Sequence, residues 1–434
     1  MTVLVVVPDY ASHWYPLSAV AAALRRRGNR VVVATGHTLA PLVAADAHEY
    51  VELTLGSGSN GGVRPAGADA EMEAFFGATR EGMIAVLRYQ AERRRQDLFW
   101  EPDGVATRLR DIVQTIEPDV VLVDQLAFGA TAALRGLRVP FLSFLPGHPC
   151  QLPVRGEVFG YPGLRPPGFA PPPNELRSLR GLCTVVTAEF TATYNAVVTA
   201  LDPKTTPVDD AFAAGGTLGT IVNYPGGIGR HAVRLPDATF VGSCVRLQEP
   251  DPFFDGLVRE SNVRPRAYVS LGSFLSARTD VLQRIAEALR ILRWDAVIAS
   301  GVNEPESLGP RDEGWVVRAH LPQVAALDAC DIVVCHGGNN TVTEALTAGL
   351  PVLAAPFSTD QFAGAEDLRR TGLGHAVDPN SATPAEIAAR LVSLLRDGAA
   401  ERTAALGRSL RSSPGAELAA GAVEAAAASR ALAA

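Results

Sequence analysis

Short runs of apolar, mostly β-branched residues recur along this chain, each followed by a stretch with helical spacing, and few folds accommodate that pattern. Residues 2–7 read TVLVVV, with no alternation of polar and apolar positions. Such a run fits a parallel strand covered on both faces. A helical stretch follows, with Leu17, Val20, Ala21 and Leu24 on one face and Arg25, Arg26 and Arg27 at its end, and Gly28 stops it. Residues 31–34 repeat the strand pattern and 39–45 the helical one. The alternation returns at 119–124, 129–137 and 139–144, and a helical region over 174–200 leads to a further strand at 219–223. This is the βαβ signature of a doubly wound parallel sheet.

A second series of the same kind follows a polar, proline-containing stretch. Strands are expected at 267–271, 294–299, 315–318, 332–335 and 352–355, with helices over 280–292, 340–348 and 361–371. At 434 residues, 47% hydrophobic and 20% charged, the chain can bury two such cores. The predicted class is α/β, with two Rossmann-like doubly wound domains, 1–245 and 265–412, joined by a linker at 246–264. Ligands of such sheets bind beyond the carboxyl ends of the strands, so two sheets joined this way enclose a cleft. The alanine-rich tail, 413–434, reads as a helix of high intrinsic propensity that can pack back on the first domain.

Several function classes drop out. A net charge of -7 gives no basic face for nucleic acid. No stretch approaches the roughly 20 apolar residues that span a bilayer, so no membrane insertion is expected. The opening run lacks a basic leader and ends at Pro8-Asp9. Five scattered cysteines without a C-x-x-C pair suit a reducing cytosol, and a cytoplasmic location is expected. No histidine pair has metal-ligand spacing, so no catalytic metal is expected. Gly56-Ser-Gly58-Ser-Asn-Gly61 matches a dinucleotide fingerprint only in letters: Arg64-Pro65 follows where a helix should begin.

The densest cluster of unusual residues lies in the second half. His336-Gly337-Gly338 stands where an apolar strand ends and a helix begins. Glycines there let a phosphate approach the main chain, and the helix start offers unpaired N–H groups. Asn340 and Thr341 add donors in the first turn, and His336 can hydrogen-bond a phosphate oxygen or neutralise it. Taken alone, the triplet could equally be a tight capping turn. Gln323, Glu344, Asp360 and Gln361, at further strand ends and helix starts, favour a site. Gly272-Ser273 is a second strand-to-helix turn of the same kind.

In the first half, His13 follows the first strand and Asp124 ends a later one, both at carboxyl edges. A histidine whose second nitrogen is held by a carboxylate is an oriented general base. The long Pro- and Gly-rich segment 145–173, with exposed aromatics, has the texture of a functional loop. Apolar walls for a small acceptor could come from Met72, Phe75, Phe76, Met83, Phe144 and Phe159.

The segment 317–361 resembles the donor-binding signature of family 1 glycosyltransferases, which include plant secondary-product enzymes and bacterial antibiotic glycosyltransferases. The resemblance implies a GT-B fold and a nucleotide-sugar co-substrate, with no metal or other cofactor. It places Gln323 beside the base, and His336, Asn340 and Thr341, with Gly338 and Ser273, at the diphosphate. It gives Glu344 the ribose hydroxyls, and Asp360 and Gln361 the donor sugar. Ser12-His13-Trp-Tyr-Pro16 is similar to the family's glycine-histidine-…-proline pattern with serine for glycine, which makes His13 the base and Asp124 its partner. The tryptophan that stacks on uracil in plant relatives falls near Val317, and Trp315 is offset by two. All basic residues but Lys204 are arginine, as in a GC-rich bacterial genome, which favours a dTDP-sugar over a UDP-sugar. The implied partners are that donor and a small apolar natural-product aglycone. An epimerase of the same fold acting on the donor alone, and a non-catalytic helper, are the alternatives.

Overall fold

The computed structural model describes the whole chain except residues 57–69, 247, 249–250, 260–263 and 434, and except the side chains at 70, 95–97, 258–259, 273, 431 and 433. Most of the Gly56–Gly61 stretch and part of the 246–264 linker therefore lie outside the described residues. Seven strands form the first sheet: β1 (Thr2–Val6), β2 (Arg30–Thr35), β3 (Glu49–Glu52), β4 (Val120–Asp124), β5 (Phe141–Leu145), β6 (Thr220–Val222) and β7 (Ala238–Phe240). Six form the second: β8 (Arg266–Ser270), β9 (Asp295–Ala299), β10 (Trp315–Arg318), β11 (Ile332–Cys335), β12 (Val352–Ala354) and β13 (Gly374–Ala376).

Both sheets are parallel and doubly wound. The first runs β3-β2-β1-β4-β5-β6-β7 and the second β10-β9-β8-β11-β12-β13. Each reverses its winding beside its first strand, between β1 and β4 and between β8 and β11, which is where sheets of this kind bind their ligands. The central strands owe their runs of Val, Leu and Ile to cover on both faces: Val3 to Val7 and Val120 to Val123 are fully buried.

The last helix, Gly415–Ala433, lies against the helix Ala11–Arg26 of the first sheet's layer. Arg27 reaches Glu417 at 2.8 Å and Glu424 at 3.0 Å, and Arg26 reaches Glu417 at 2.7 Å. These side chains are about one-third to one-half exposed, so each pair contributes little. The anchoring falls to Ala416, Ala419, Ala420 and Val423, which are buried in one cluster with Leu17, Val20 and Leu24.

The two halves meet through an apolar and a polar contact. Phe274, after β8, packs against Phe75 and Phe76 with ring centres 5.0 and 5.3 Å apart. The polar contact centres on Asp367, in the helix Gln361–Thr371. Its Oδ2 accepts from Tyr224 Oη at 3.1 Å and lies 3.0 Å from His148 Nε2 and 2.6 Å from His231 Nε2, all three from the first half. The main-chain N–H of Cys150 donates to His148 Nδ1, so that ring presents Nε2–H to the carboxylate. His148, His231 and Asp367 are far apart in sequence, which hid their convergence from any spacing rule. Their nearby nitrogen and oxygen atoms are engaged here as hydrogen-bond partners.

Burial alone raises the Asp367 carboxyl, but the hydrogen bonds and charges of His148 and His231 overcome this and hold it well below the usual range. Burial also lowers His148 against the pull of Asp367, keeping the ring neutral. The depressed carboxylate stabilises the fold above its ordinary unfolded value near pH 4, and that contribution fades as acid protonates it. The lowered His148 adds a cost to folding once pH falls below about 6.5. Asp367→Asn should therefore lower stability by about 2–4 kcal/mol at neutral pH, with a flatter decline below pH 4 in denaturant titrations.

Candidate active site

The first half of the site follows from the register of β1 on β4. Val6 pairs with Val123, so the residues that leave the two strands do so side by side. Pro8 cannot extend the ladder, and the chain turns into the helix Ala11–Arg26 with His13 in its first turn. Asp124 is the last residue of β4 and is fully buried. Its Oδ1 accepts from the Leu126 main chain at 2.9 Å, and its Oδ2 meets His13 Nδ1 at 2.8 Å. That leaves Nε2 as the nitrogen able to serve an incoming group, with the side chain 18% exposed. Burial lowers the imidazole's affinity for a proton. The charge and hydrogen bond of Asp124, with the charge of Asp360, outweigh it, so His13 titrates above its ordinary value.

Across the cleft, Cys335 of β11 lies beside Ser270 of β8, and both strands end in glycine turns. Gly272 and Gly337 have φ of +75° and +83°. A Cβ on Gly338 would fall 2.3 Å from His336 Nε2, and one on Gly272 would fall 2.9 Å from its Cε1. The imidazole thus occupies a slot that only two glycines leave open. Burial pushes His336 down to about 4 against the Ser270 main chain and Asp360, and its Nδ1 is buried without a partner. At neutral pH the ring can offer a hydrogen bond but no charge. The helix Asn339–Ala348 starts at Gly338, which provides no side-chain cap, so its first N–H groups remain for a ligand.

Gln323, Thr341 and Glu344 converge as a group. The Gln323 carbonyl accepts from Tyr268 Oη at 3.0 Å and from Thr341 Oγ1 at 3.5 Å, while its amide donates to Glu344. Burial raises the Glu344 carboxyl against that bond and the charge of Arg246. Asn340 donates to the Ser12 carbonyl at 2.6 Å, tying this helix to the residue before His13. Asn339 donates to the carbonyls of Pro146 at 2.6 Å and Asn223 at 2.9 Å. Asp360 accepts from the His148 main chain at 2.8 Å and from the Thr359 hydroxyl at 2.9 Å. The Gln361 carbonyl accepts from Phe357 and Ser358 N–H groups of its own turn. Ser273 lies in the short helix Gly272–Leu275, with its side chain outside the described residues. Asn339, Tyr268 and Arg246 escaped the sequence reading. Only the Asn339-Asn340 doublet carried a usable signal.

A cavity opens beside Asp360. Its walls are Leu87, Gln90, Arg94 and Leu98 of the helix Met83–Leu98, Leu126 after β4, Cys150 and Gln151, the stretch 159–164, and Thr359, Asp360 and Ala363 from the second half. Phe159 lines it. Met72, Phe75, Phe76, Met83 and Phe144, expected as its walls, do not. The first four are buried in an apolar cluster with Leu271, Leu275 and Phe357, where they seal the halves together. Phe144 alternates inward along β5 and is fully buried with Leu142 and Ile221.

Residues 223–408 match the family described as UDP-glucoronosyl and UDP-glucosyl transferase. The zeaxanthin glucosyltransferase of Pseudescherichia vulneris is 26% identical over 388 residues, covering 86% of this chain and 85% of that protein. Against several other curated bacterial glycosyltransferases the chain spans only between 31% and 38% of their length. The crystal structure of the glycotransferase of kitacinnamycin covers 98% of both chains with a TM-score of 0.70 at 22% identity. That of the glycosyltransferase VinC in complex with dTDP covers 98% of this chain and 99% of its own with a TM-score of 0.64 at 17% identity. Likeness at that identity establishes the fold.

Two outcomes follow from the geometry. In Asp124→Asn, the His13 imidazole should titrate at lower pH than in the wild type, read by NMR of the ring protons, because the charge that favours its protonated form is gone. Gly338→Ala should displace His336 while leaving the fold intact, seen as a changed His336 resonance with little change in melting temperature.

Proposed function

We propose that this chain, a family 1 glycosyltransferase of the GT-B fold, moves a sugar from a nucleoside diphosphate onto a small apolar natural-product aglycone with inversion at the anomeric carbon. The observation that carries this reading is the His13–Asp124 pair facing the uncapped helix start at Gly338 across one cleft, with Asn340 touching Ser12 between them. One side offers a base and the other an anion site. A transfer between an alcohol and a sugar diphosphate needs both.

The acceptor occupies the cavity beside Asp360 and brings a hydroxyl to His13. His13 Nε2 takes the hydroxyl proton as that oxygen forms its bond to the anomeric carbon. The bond from that carbon to the diphosphate oxygen breaks, and the nucleoside diphosphate leaves with the electron pair. Asp124 keeps Nδ1 protonated and steadies the imidazolium that results. His336 and the N–H groups after Gly338 meet the departing phosphate. Gln323 and Glu344 are assigned to the nucleoside, and Asp360 to the sugar.

A dTDP-sugar, with a deoxysugar as its cargo, is the favoured donor. The arginine-rich composition supports it, as does the dTDP in the VinC complex. A lipophilic acceptor accords with the zeaxanthin named for one relative and with the mostly apolar cavity walls. The five free cysteines suit action in the cytoplasm.

His13→Ala should fold and bind donor as the wild type does, while turnover falls by about 10²- to 10⁴-fold. Turnover near the wild-type rate would remove His13 from this role. Because the folded His13 titrates above its ordinary value near 6.5, the acid limb of kcat/KM in the wild type should lie above that pH. Calorimetry with dTDP and UDP, repeated on His336→Ala, tests the donor. The reading requires that one of them bind and that the variant bind it more weakly.

A further inference from the structure

The groups gathered at the cleft are electrically one-sided. Asp124 and Asp360 act on His13, and Asp360 acts on His336. His336 is neutral near pH 7, and His13 must be neutral while it serves as a base. A nucleoside diphosphate brings two or more negative charges into this setting, and a helix start supplies only about half a positive charge. No residue so far assigned to the donor carries a permanent cation.

Arg246 stands where one is needed. Its guanidinium carbon lies 4.0 Å from the centre of the Tyr15 ring, two residues past His13 on the same helix. Its charge also reaches Glu344, one turn beyond Asn340 on the opposite half. Two residues on, Gln248 accepts from the Val324 main chain at 3.1 Å, which pins the linker against the turn that carries Gln323. Arg246 is therefore bracketed by the base-bearing helix on one side and the nucleoside residues on the other. Among the described residues, no carboxylate lies within ion-pair distance of it and no hydrogen bond fixes its five N–H donors. A half-buried arginine resting on an aromatic face, with its donors unengaged, is poised to bind an anion.

We infer that Arg246 is the cation of the donor site, held on the Tyr15 ring and pairing with the diphosphate of the bound nucleotide, with Tyr15 as its positioning residue. The inference rests on the donor reading above. It is tested on the full chain with the tighter-binding of dTDP and UDP, and with the matching nucleoside, by calorimetry and ligand-observed NMR. Arg246→Ala should weaken the diphosphate about 10- to 100-fold and leave the nucleoside within about twofold. Arg246→Lys should recover part of the loss, since a point charge replaces a fork. Tyr15→Leu should cost less, and nothing further in the Arg246→Ala background.

Wild-type affinity for the diphosphate in Arg246→Ala would overturn the inference and leave the donor reading standing. Equal loss of diphosphate and nucleoside would also overturn it, because it would mark Arg246 as a hinge support. If the wild type binds neither dTDP nor UDP, the donor reading fails and Arg246 falls with it.

Discussion

Everything in this molecule is arranged around the parallel ladder between neighbouring central strands. A parallel pair cannot be closed by a tight turn, so each strand must send its chain out over a helix and back. All the carboxyl ends then face the same way, and all the connecting loops that follow them crowd one edge. Where the winding reverses, between β1 and β4, two of those loops diverge and leave a crevice. His13 and Asp124 sit at that crevice because Val6 and Val123 are partners. The same constraint in the second sheet sets Gly272 beside His336. The places of His13, Asp124, Gly272 and His336 are thus fixed by strand register.

The halves are joined by contacts of different kinds, and the difference matters for motion. Phe75, Phe76 and Phe274 attract without direction and tolerate sliding. The hydrogen bonds on Asp367 and those made by Asn339 are directional and break together when the halves rotate. The Asp367 carboxylate is also expensive to leave alone, since a buried charge with its partners withdrawn loses far more than an exposed one. The structure therefore joins its halves through one apolar surface and one directional polar cluster.

Much of this was legible in the sequence. Apolar runs located the central strands, and the residues singled out beside β1, β4, β8 and β11 are brought together, His13 against Asp124 and Gly272 against His336. What escaped has a physical reason. β3 reads EYVE and is largely exposed, so it lacks the apolar signature of an inner strand, and β7 and β13 are three-residue edge segments with the same defect. Phe75, Phe76 and Phe144 were apolar residues, and a run of sequence does not distinguish a ring that faces a ligand from one packed on the other half, as Phe75 and Phe76 are, or in its own sheet's core, as Phe144 is. The Asp367 cluster unites residues about 140 to 220 positions apart and obeys no local spacing. Arg246 looked like linker because its significance lies in what it rests on.

The return of the helix Gly415–Ala433 to the first half decides how this protein could be cut and recombined. In sequence it belongs to the second half, but its buried face belongs to Leu17, Val20 and Leu24. A chimera joined once, near residue 245, would give the first half a foreign closing helix over an exposed apolar strip. Exchange of the second half between relatives therefore needs two crossovers, the second just before Gly415, so that the first half keeps its own clasp.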